Sequence, residues 1–295
     1  MGNITLAQLK IAGGGMSYVI HCADGKFVLI DGGYYCEEDE ARLYDYLRSR
    51  AEGGRPVIAA WLFTHGHYDH VGLAARFMVD RKDSVTIERF LYNIPVEGFD
   101  FSGYDAGGKD AEYEAAWFRA VKLYPEADCH EVQTGEVYDA SGIRIEVLTC
   151  AYDKYPDPPT NRNQSSAVYQ LTFPNGVRFM VLGDACGNRL LQLNDPASPI
   201  YRTDEQLKSD ILQVAHHGLA VCGAPQYEGV RELYRRIAPS VCFWPTPAKR
   251  FYNDPWCQAE KHIYNRFLLE SVRERNFHHT QTVEIDVEDM SVSVM

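Results

Sequence analysis

The sequence predicts an α/β protein in which two mixed β-sheets pack face to face between layers of helices, a four-layer αββα sandwich. Strand-length apolar runs occur in both halves of the chain, and stretches with helical spacing separate them. The run at 57–63 is continuously apolar, which is typical of a strand that is covered on both faces. Neither a glycine- and serine-rich linker nor a block of charge divides the 295 residues, so we expect one domain over 1–295.

The predicted elements alternate along the chain. Strands at 17–22 and 26–30 come first, and a helix over 37–50 follows, with acidic residues in its first turn and basic residues in its last turn. A loop or helical insertion at about 92–128 and a proline-rich loop at 150–164 interrupt the pattern. The remaining stretches predict strands at 57–63, 143–149, 165–173, 177–183, 210–215 and 240–244, and helices at 110–124, 227–237 and 257–275.

Composition and charge argue against several classes of protein. The 29 basic and 41 acidic residues give a formal net charge of −12, and an acidic surface repels the phosphate backbone of nucleic acids. No apolar run approaches the roughly 18 residues that a membrane-spanning helix needs. The eight cysteines form no CxxC pair, and the amino terminus has no signal-peptide pattern. We therefore expect a cytoplasmic protein with reduced thiols that acts on a small molecule, in an oligomeric state that the sequence leaves open.

Three histidines and one aspartate stand within six residues directly after the strand predicted at 57–63. Imidazole nitrogens suit zinc, iron or manganese, and a neighbouring carboxylate adds a harder oxygen ligand. A tight turn at this point directs the four side chains towards two adjacent cations. We expect His65 and His67 to share one cation, and Asp69 and His70 to share the other.

The segment THGHYDHVG resembles the HxHxDH signature loop of the metallo-β-lactamase superfamily. The HxHxDH segment at 65–70 is called the metal loop below. Upstream, VLIDGG resembles that family's strand ending in Asp-Gly-Gly, which implies that Asp31 supports the metal loop from behind the ligands. Downstream, VLGDA resembles its Gly-Asp element, which implies that Asp184 bridges both metals. The resemblance implies the sandwich fold and two bound divalent metal ions, with zinc expected and manganese or iron as alternatives.

A last ligand element is implied by AHHG at 215–218, which resembles the superfamily's strand ending in histidine. Side chains alternate between the two faces of a strand, so we expect His216 and His217 to point in opposite directions. One of them would bind metal. The other would bind substrate, act as a general acid or stabilise developing charge, and the sequence leaves open which residue has which role.

A narrower resemblance links NQSSAVYQL, VLGDA and DILQVAHHG, in this order, to the hydrolase domain of competence DNA-uptake channel proteins and to the related phosphorylcholine esterases. Those proteins act on phosphodiesters. Two departures stand out: Leu219 follows HHG where many members have serine, and asparagines surround Arg162 where the superfamily places a third histidine. Asn163 is a weak candidate ligand, so the first metal site is expected to be weak, empty or filled by a harder ion.

The expected function is that of a metal-dependent hydrolase that uses a metal-bound hydroxide, most of all on a phosphodiester or a related small phosphoester. Asp69 and His217 are the candidate catalytic residues, and Tyr34 and Arg162 are candidate substrate contacts. Two alternatives remain open. One is a hydrolase of a lactone, thioester or other acyl ester, and the other is a catalytically weak protein that uses its metal to bind a ligand.

Overall fold

A computed structural model gives the fold of the chain. It describes residues 2–12, 14–51, 53–95, 108–150, 161–186, 188–219, 227–247, 272, 277–279 and 281–295. The helix predicted at 257–275 lies outside the described residues except for one position, and so does most of the proline-rich loop at 150–164. None of the described helices has the length and apolar character needed to cross a membrane.

The described residues form six α-helices and sixteen β-strands. The helices are α1 (Glu37–Arg50), α2 (Tyr68–Asp80), α3 (Lys109–Val121), α4 (Asn188–Gln192), α5 (Asp204–Leu207) and α6 (Tyr227–Ile237). The strands are β1 (Thr5–Gln8), β2 (Tyr18–His21), β3 (Phe27–Ile30), β4 (Val57–Phe63), β5 (Thr86–Ile87), β6 (Arg89–Tyr92), β7 (Asp128–Glu131), β8 (Val137–Ala140), β9 (Ile143–Thr149), β10 (Val168–Thr172), β11 (Arg178–Val181), β12 (Ile211–Gln213), β13 (Val241–Trp244), β14 (Phe277–His279), β15 (Val283–Asp286) and β16 (Val292–Val294).

The strands are arranged in two mixed sheets. The first has the order β16-β15-β1-β2-β3-β4-β6-β7, with β5 also paired to β4. The second has the order β14-β13-β12-β11-β10-β9-β8. In the first sheet β3, β4, β5, β6 and β7 run parallel, and in the second sheet β11 to β14 run parallel, while the other pairs are antiparallel. Each sheet therefore has a parallel half, where the carboxyl ends of neighbouring strands meet at one edge.

Three hydrophobic clusters separate the layers. The central cluster contains the inward side chains of both sheets, among them Ile30 from the first sheet and Val181 from the second. A second cluster joins the first sheet to α1, α2 and α3, and a third joins the second sheet to α4, α5 and α6. This arrangement confirms the predicted α/β sandwich of two mixed sheets flanked by helices.

The strand predicted at 57–63 is β4, and six of its seven residues are buried. Its inner neighbours β3 and β6 run parallel to it, so the continuous apolar pattern reflects coverage by the central core on one face and by helices on the other. The chain leaves β4 at Thr64 and enters α2 at Tyr68. The HxHxDH segment thus spans the connection from β4 to α2 and the first turn of α2, at the carboxyl edge of the sheet, where ligand sites of parallel sheets form.

Candidate metal centre

The two sheets contribute one half of a shared cavity each. The first sheet supplies the metal loop after β4, and the second sheet supplies Asp184 after β11 and the two histidines after β12. These residues lie at the carboxyl ends of parallel strands and line a cavity of about 560 Å³. The cavity is open on one side and is large enough for a small-molecule substrate.

Six side chains in or beside this cavity form two candidate ligand sets. Within each set, one nitrogen or oxygen atom of every residue lies within 4.8 Å of the others. The first set is His65, His67 and Asp184, and the second is Asp69, His70 and His217.

Asp184 reaches into both ligand sets. Its Oδ2 is 3.9 Å from His65 Nε2 in the first set, and its Oδ1 is 3.4 Å from His70 Nε2 in the second. Oδ2 is also 3.3 Å from His217 Nε2. A carboxylate in this position suits a bridge between two cations about 3.5–4 Å apart. The sequence analysis likewise paired His65 with His67 and Asp69 with His70. The roles of these four residues as metal ligands stay predictions.

Hydrogen bonds around Thr64 determine which His65 nitrogen is available to a metal. Thr64 Oγ1 is 2.8 Å from Asp31 Oδ2 and 3.1 Å from His65 Nδ1. The hydroxyl has one proton and donates it to the carboxylate, so it accepts from His65 Nδ1. Burial and the neighbouring histidines lower the pKa of His65 well below its ordinary value, so the ring is neutral. Its Nε2 therefore presents a lone pair to the cavity.

His70 and His217 are oriented in the same way. His70 Nδ1 is 2.8 Å from Asp31 Oδ2, and His217 Nδ1 is 3.1 Å from the carbonyl oxygen of Pro245. Each ring donates its Nδ1 proton to this fixed acceptor and turns Nε2 towards the cavity, the usual arrangement of metal-binding histidines. Asp31 also accepts from the Thr64 backbone N–H at 2.8 Å. The predicted supporting role of Asp31 thus has a direct geometric basis.

Several buried polar atoms at the site have no hydrogen-bond partner. Burying such atoms is costly unless a ligand or ion satisfies them, because they have lost their contacts with water. Two nitrogens and two oxygens among them lie at the cavity, where divalent cations and their ligands would provide partners. The orphaned atoms of this region are His67 Nε2, His70 Nε2, His217 Nε2, Asp184 Oδ1 and Asn163 Oδ1. The donor set therefore fits divalent metal ions.

In the absence of metal, the two histidines of the second ligand set, His70 and His217, are protonated near neutral pH. Burial alone lowers the pKa of a histidine, but Asp184 and Asp69 outweigh it and raise the pKa of His217 to about 10. The pKa of His70 is likewise raised well above its ordinary value, against the effect of burial, by Asp184 and Asp31. Burial raises the pKa of Asp69, but the close contact with His217 at 3.3 Å and the charges of His70 and His217 bring it down to about 2. Metal binding here must displace protons.

The two neighbouring histidines do not alternate as strand residues. β12 ends at Gln213, and His216 and His217 lie in a 3₁₀ turn (Ala215–Gly218) with φ values of 51° and 54°. The expectation that they point in opposite directions is wrong, because both line the cavity. His217 joins the second ligand set, whereas His216 Nε2 lies 3.2 Å from Asn163 Nδ2 and 4.0 Å from Asp184 Oδ2. Left-handed backbone at two successive non-glycine residues is costly and is concentrated at functional sites.

The remaining candidate contacts have different surroundings. Asn163 lines the cavity next to His216. Arg162 is not part of the cavity lining; its guanidinium forms a two-pronged ion pair with Glu114, at 2.9 and 2.8 Å. This geometry does not support the predicted anion contact. The Tyr34 ring contacts the Tyr68 ring edge-on, with the ring centroids 5.3 Å apart. Of these two tyrosines, Tyr68 lines the cavity and Tyr34 does not.

The sequence analysis missed two acidic residues of α3. Asp110 is fully buried, lines the cavity and accepts a hydrogen bond from the Tyr68 backbone N–H at 3.2 Å. Glu114 is the partner of Arg162. The only sequence signal was an acidic first turn in the insertion, which exposed helices share, so the pattern did not distinguish these residues.

A turn that contains Gly15 packs closely against the backbone of the metal loop at Asp69. Gly15 has a φ of 98°, and a Cβ at this position would lie 2.0 Å from the Asp69 carbonyl oxygen. Gly15→Ala is therefore expected to lower the free energy of unfolding by about 2 kcal/mol more than Gly25→Ala, measured by urea denaturation. Gly25 is a matched control, because its φ is 83° and a Cβ there meets nothing within 4 Å. Equal losses in the two variants would refute the close approach.

Comparison with known proteins agrees with the fold. Residues 11–135 match the family model described as the metallo-beta-lactamase superfamily. This segment contains Asp31 and the complete HxHxDH loop, and the sandwich fold continues beyond it. The chain is therefore similar to the metallo-β-lactamase superfamily over residues 11–135, which make up less than half of its length. The finer resemblance to competence proteins and phosphorylcholine esterases stays a prediction.

Solved structures similar to this chain share little sequence with it. CmlA, a diiron beta-hydroxylase from Streptomyces venezuelae, is 12% identical with a TM-score of 0.50, over 95% of this chain and 52% of that chain. The metallo-beta-lactamase fold protein YhfI from Bacillus subtilis is 10% identical with a TM-score of 0.48, over 82% of this chain and 85% of that chain. This chain thus spans about half of CmlA, and such identities bear on the fold alone. Among curated proteins, none matches the sequence.

Proposed function

We propose that this protein is a hydrolase that uses two divalent metal ions, zinc in the first instance, to cleave a phosphodiester or a related small phosphoester. The observation that carries the proposal is the position of Asp184 between two ligand sets in one open cavity. Manganese and iron remain alternatives, since imidazole and carboxylate ligands suit them as well.

Bound together, paired divalent cations lower the pKa of a shared water and stabilise charge that develops on a phosphoryl oxygen. The protein contributes the groups that orient and deprotonate this water. Asp69 is the candidate acceptor of the proton, because its carboxylate lines the cavity. His217 Nε2 lies 3.3 Å from Asp69 Oδ2, and the two side chains would bind the same cation.

His216 is the candidate proton donor to the leaving group. It lines the cavity outside both ligand sets, and its side chain is 22% exposed, so a substrate can reach it. Asn163 supports either protonation state of His216 Nε2. Its amide donates through Nδ2 to the neutral ring, and after a flip its Oδ1 accepts from the protonated ring. Either contact orients the His216 ring in the cavity.

The choice of a small substrate follows from the charge and the cavity. A net charge of −12 disfavours a long nucleic acid, and the cavity volume of about 560 Å³ matches a small molecule. A phosphodiester carries a single negative charge on non-bridging oxygens, which paired cations bind well. We therefore place a small phosphodiester before a lactone, thioester or other acyl ester.

The proposal is tested by turnover of bis(p-nitrophenyl) phosphate, with p-nitrophenyl acetate and a simple lactone in parallel. The expected result is phosphodiester cleavage that a chelator abolishes and added zinc or manganese restores. Preferential cleavage of the acetate or lactone would replace the phosphodiester by the acyl alternative. Metal binding without turnover of any of the three would favour a ligand-binding protein.

His216→Gln is expected to lower kcat for the phosphodiester by about 100-fold, because the leaving group then departs without a proton donor. The metal content and KM should stay within threefold of the wild-type values, since His216 belongs to neither ligand set. His130→Gln is the control, because His130 lies on β7 and contacts Glu136 rather than the cavity. A His216→Gln variant that loses a metal ion instead would make His216 a ligand.

A further inference from the structure

We infer that helix α3, which lies in the inserted segment, orients a ligand of the metal centre. Asp110 positions His67 as a metal ligand. The ion pair between Glu114 and Arg162 fixes α3 against the metal loop. The inference rests on the proposed function, because it assigns an orientation to one of the proposed metal ligands. Both acidic residues act through other groups, so they are positioning residues rather than catalytic ones.

The His67 ring is oriented differently from the other three histidines of the two ligand sets. Its Nδ1 lies 2.9 Å from His65 Nε2, the atom that presents a lone pair to the cavity. A neutral imidazole carries one proton, on one of its two ring nitrogens. In the absence of metal that proton sits on Nδ1 and is donated to His65. If His65 Nε2 and His67 Nδ1 held a cation, the proton of His67 would have to reside on Nε2.

Asp110 is placed to receive this proton. His67 Nε2 is buried and has no hydrogen-bond partner, and Asp110 Oδ2 is 3.8 Å away from it. A ring shift of about 1 Å brings the two atoms to hydrogen-bond distance. The other oxygen of Asp110 is held by the Tyr68 backbone N–H, so the carboxylate has a fixed direction. An acceptor on the distal nitrogen is what selects the tautomer of a metal-binding histidine.

The Glu114–Arg162 pair holds the helix that carries Asp110. The side chains of Arg162 and Glu114 are 7% and 12% exposed, and the two parallel hydrogen bonds give the pair a defined geometry. Glu114 also packs on the metal loop, since a Cβ on Gly66 would lie 2.1 Å from Glu114 Oε1. Arg162 opens the 3₁₀ turn that contains Asn163. One ion pair thus joins α3 to both chain segments beside the first ligand set.

The first test is the histidine tautomers in the zinc-loaded wild-type protein, read from ¹⁵N chemical shifts of labelled imidazoles. We expect His65, His70 and His217 to bind through Nε2 and His67 to bind through Nδ1 with its proton on Nε2. Binding of His67 through Nε2 would overturn the inference, because Asp110 would then face a metal ligand atom instead of a proton.

The second test compares the zinc affinities of variants by competition with a chromophoric chelator. Asp110→Asn keeps the acceptor for Tyr68 and removes the charge facing His67, so one of the two zinc ions should bind 10- to 100-fold more weakly. Glu114→Gln should weaken the same ion by a smaller factor. Glu112→Gln is the matched control, because Glu112 is an exposed acid in the first turn of the same helix.

The outcomes separate this inference from the proposed function. If the wild-type protein binds no zinc, the proposed function fails. If it binds two ions and Asp110→Asn binds both with unchanged affinity, or loses both equally, only the inference fails. Should Asp110→Asn not fold, as judged by circular dichroism, the wild-type tautomers and Glu114→Gln decide the question in the same way.

Discussion

Asp184→Ala is expected to reduce the zinc content from two ions per chain to at most one, and phosphodiester turnover by at least about 1,000-fold. The carboxylate oxygens of Asp184 lie within 4 Å of the Nε2 atoms of His65 in the first ligand set and of His70 and His217 in the second. Its loss removes an oxygen ligand from each ion and the negative charge that offsets their mutual repulsion. The measurement is elemental mass spectrometry of protein purified without a chelator or a histidine tag.

Asp39→Ala provides the control for this experiment. Asp39 is as buried as Asp184, but it lies on α1 and pairs with Arg42. We expect this variant to lose stability and to keep both ions. Full zinc content and turnover in Asp184→Ala would rule out the paired metal site, and one ion in the wild-type protein would mean that the asparagines at 161 and 163 leave the first site too weak to fill.

Zinc affinity is expected to rise steeply with pH for one ion and weakly for the other. His70 and His217 have raised pKa values, about 10 for His217, so a metal must displace two protons from the second ligand set near neutral pH. Because two protons are released, the zinc affinity of the second ligand set should increase by about 100-fold per pH unit. His65 and His67 have lowered pKa values and are already neutral, so the other ion should respond little. Chelator competition at pH 6.5, 7.5 and 8.5 measures both slopes.

The same protons determine how the metal-free protein responds to pH. A folded-state pKa raised above the unfolded value stabilises the fold fully below the unfolded pKa, about 6.5 for histidine, and this stabilisation is lost as the pH rises towards the folded value. For His217 that window runs from about 6.5 to about 10. Metal-free protein should therefore lose stability to urea between pH 7 and 9, and zinc-loaded protein should not. Two outcomes would contradict the proton assignment. One is an equal dependence of zinc affinity on pH for both ions, and the other is a stability of the metal-free protein that rises over this window.

The sequence was informative where the function is encoded in neighbouring residues. The HxHxDH segment places its side chains through one strand-to-helix turn, so its pattern predicted the pairing of His65 with His67 and of Asp69 with His70. β4 was predicted over the same residues, since a fully covered strand has a continuous apolar pattern. The predicted helices at 37–50 and 227–237 likewise coincide with α1 and α6.

Contacts between distant segments were beyond the reach of the sequence. Asp110 meets His67, and Glu114 meets Arg162, across 43 and 48 residues of chain, and neither pair leaves a local pattern. The 3₁₀ turn at Ala215–Gly218 was missed for a different reason. Strand periodicity assumes extended backbone, and the positive φ values of two non-glycine residues are paid for by tertiary contacts that the local sequence does not encode.

Each proposed cation would be held by ligands from both sheets. His65 and His67 follow a strand of the first sheet, as do Asp69 and His70, while the other ligand of each set follows a strand of the second. The cations would therefore act as crosslinks between the two halves of the sandwich. Separating the sheets would require metal–ligand bonds to break first, so metal loading would slow unfolding and protect the chain from proteolysis, as a kinetic barrier added to the equilibrium stability.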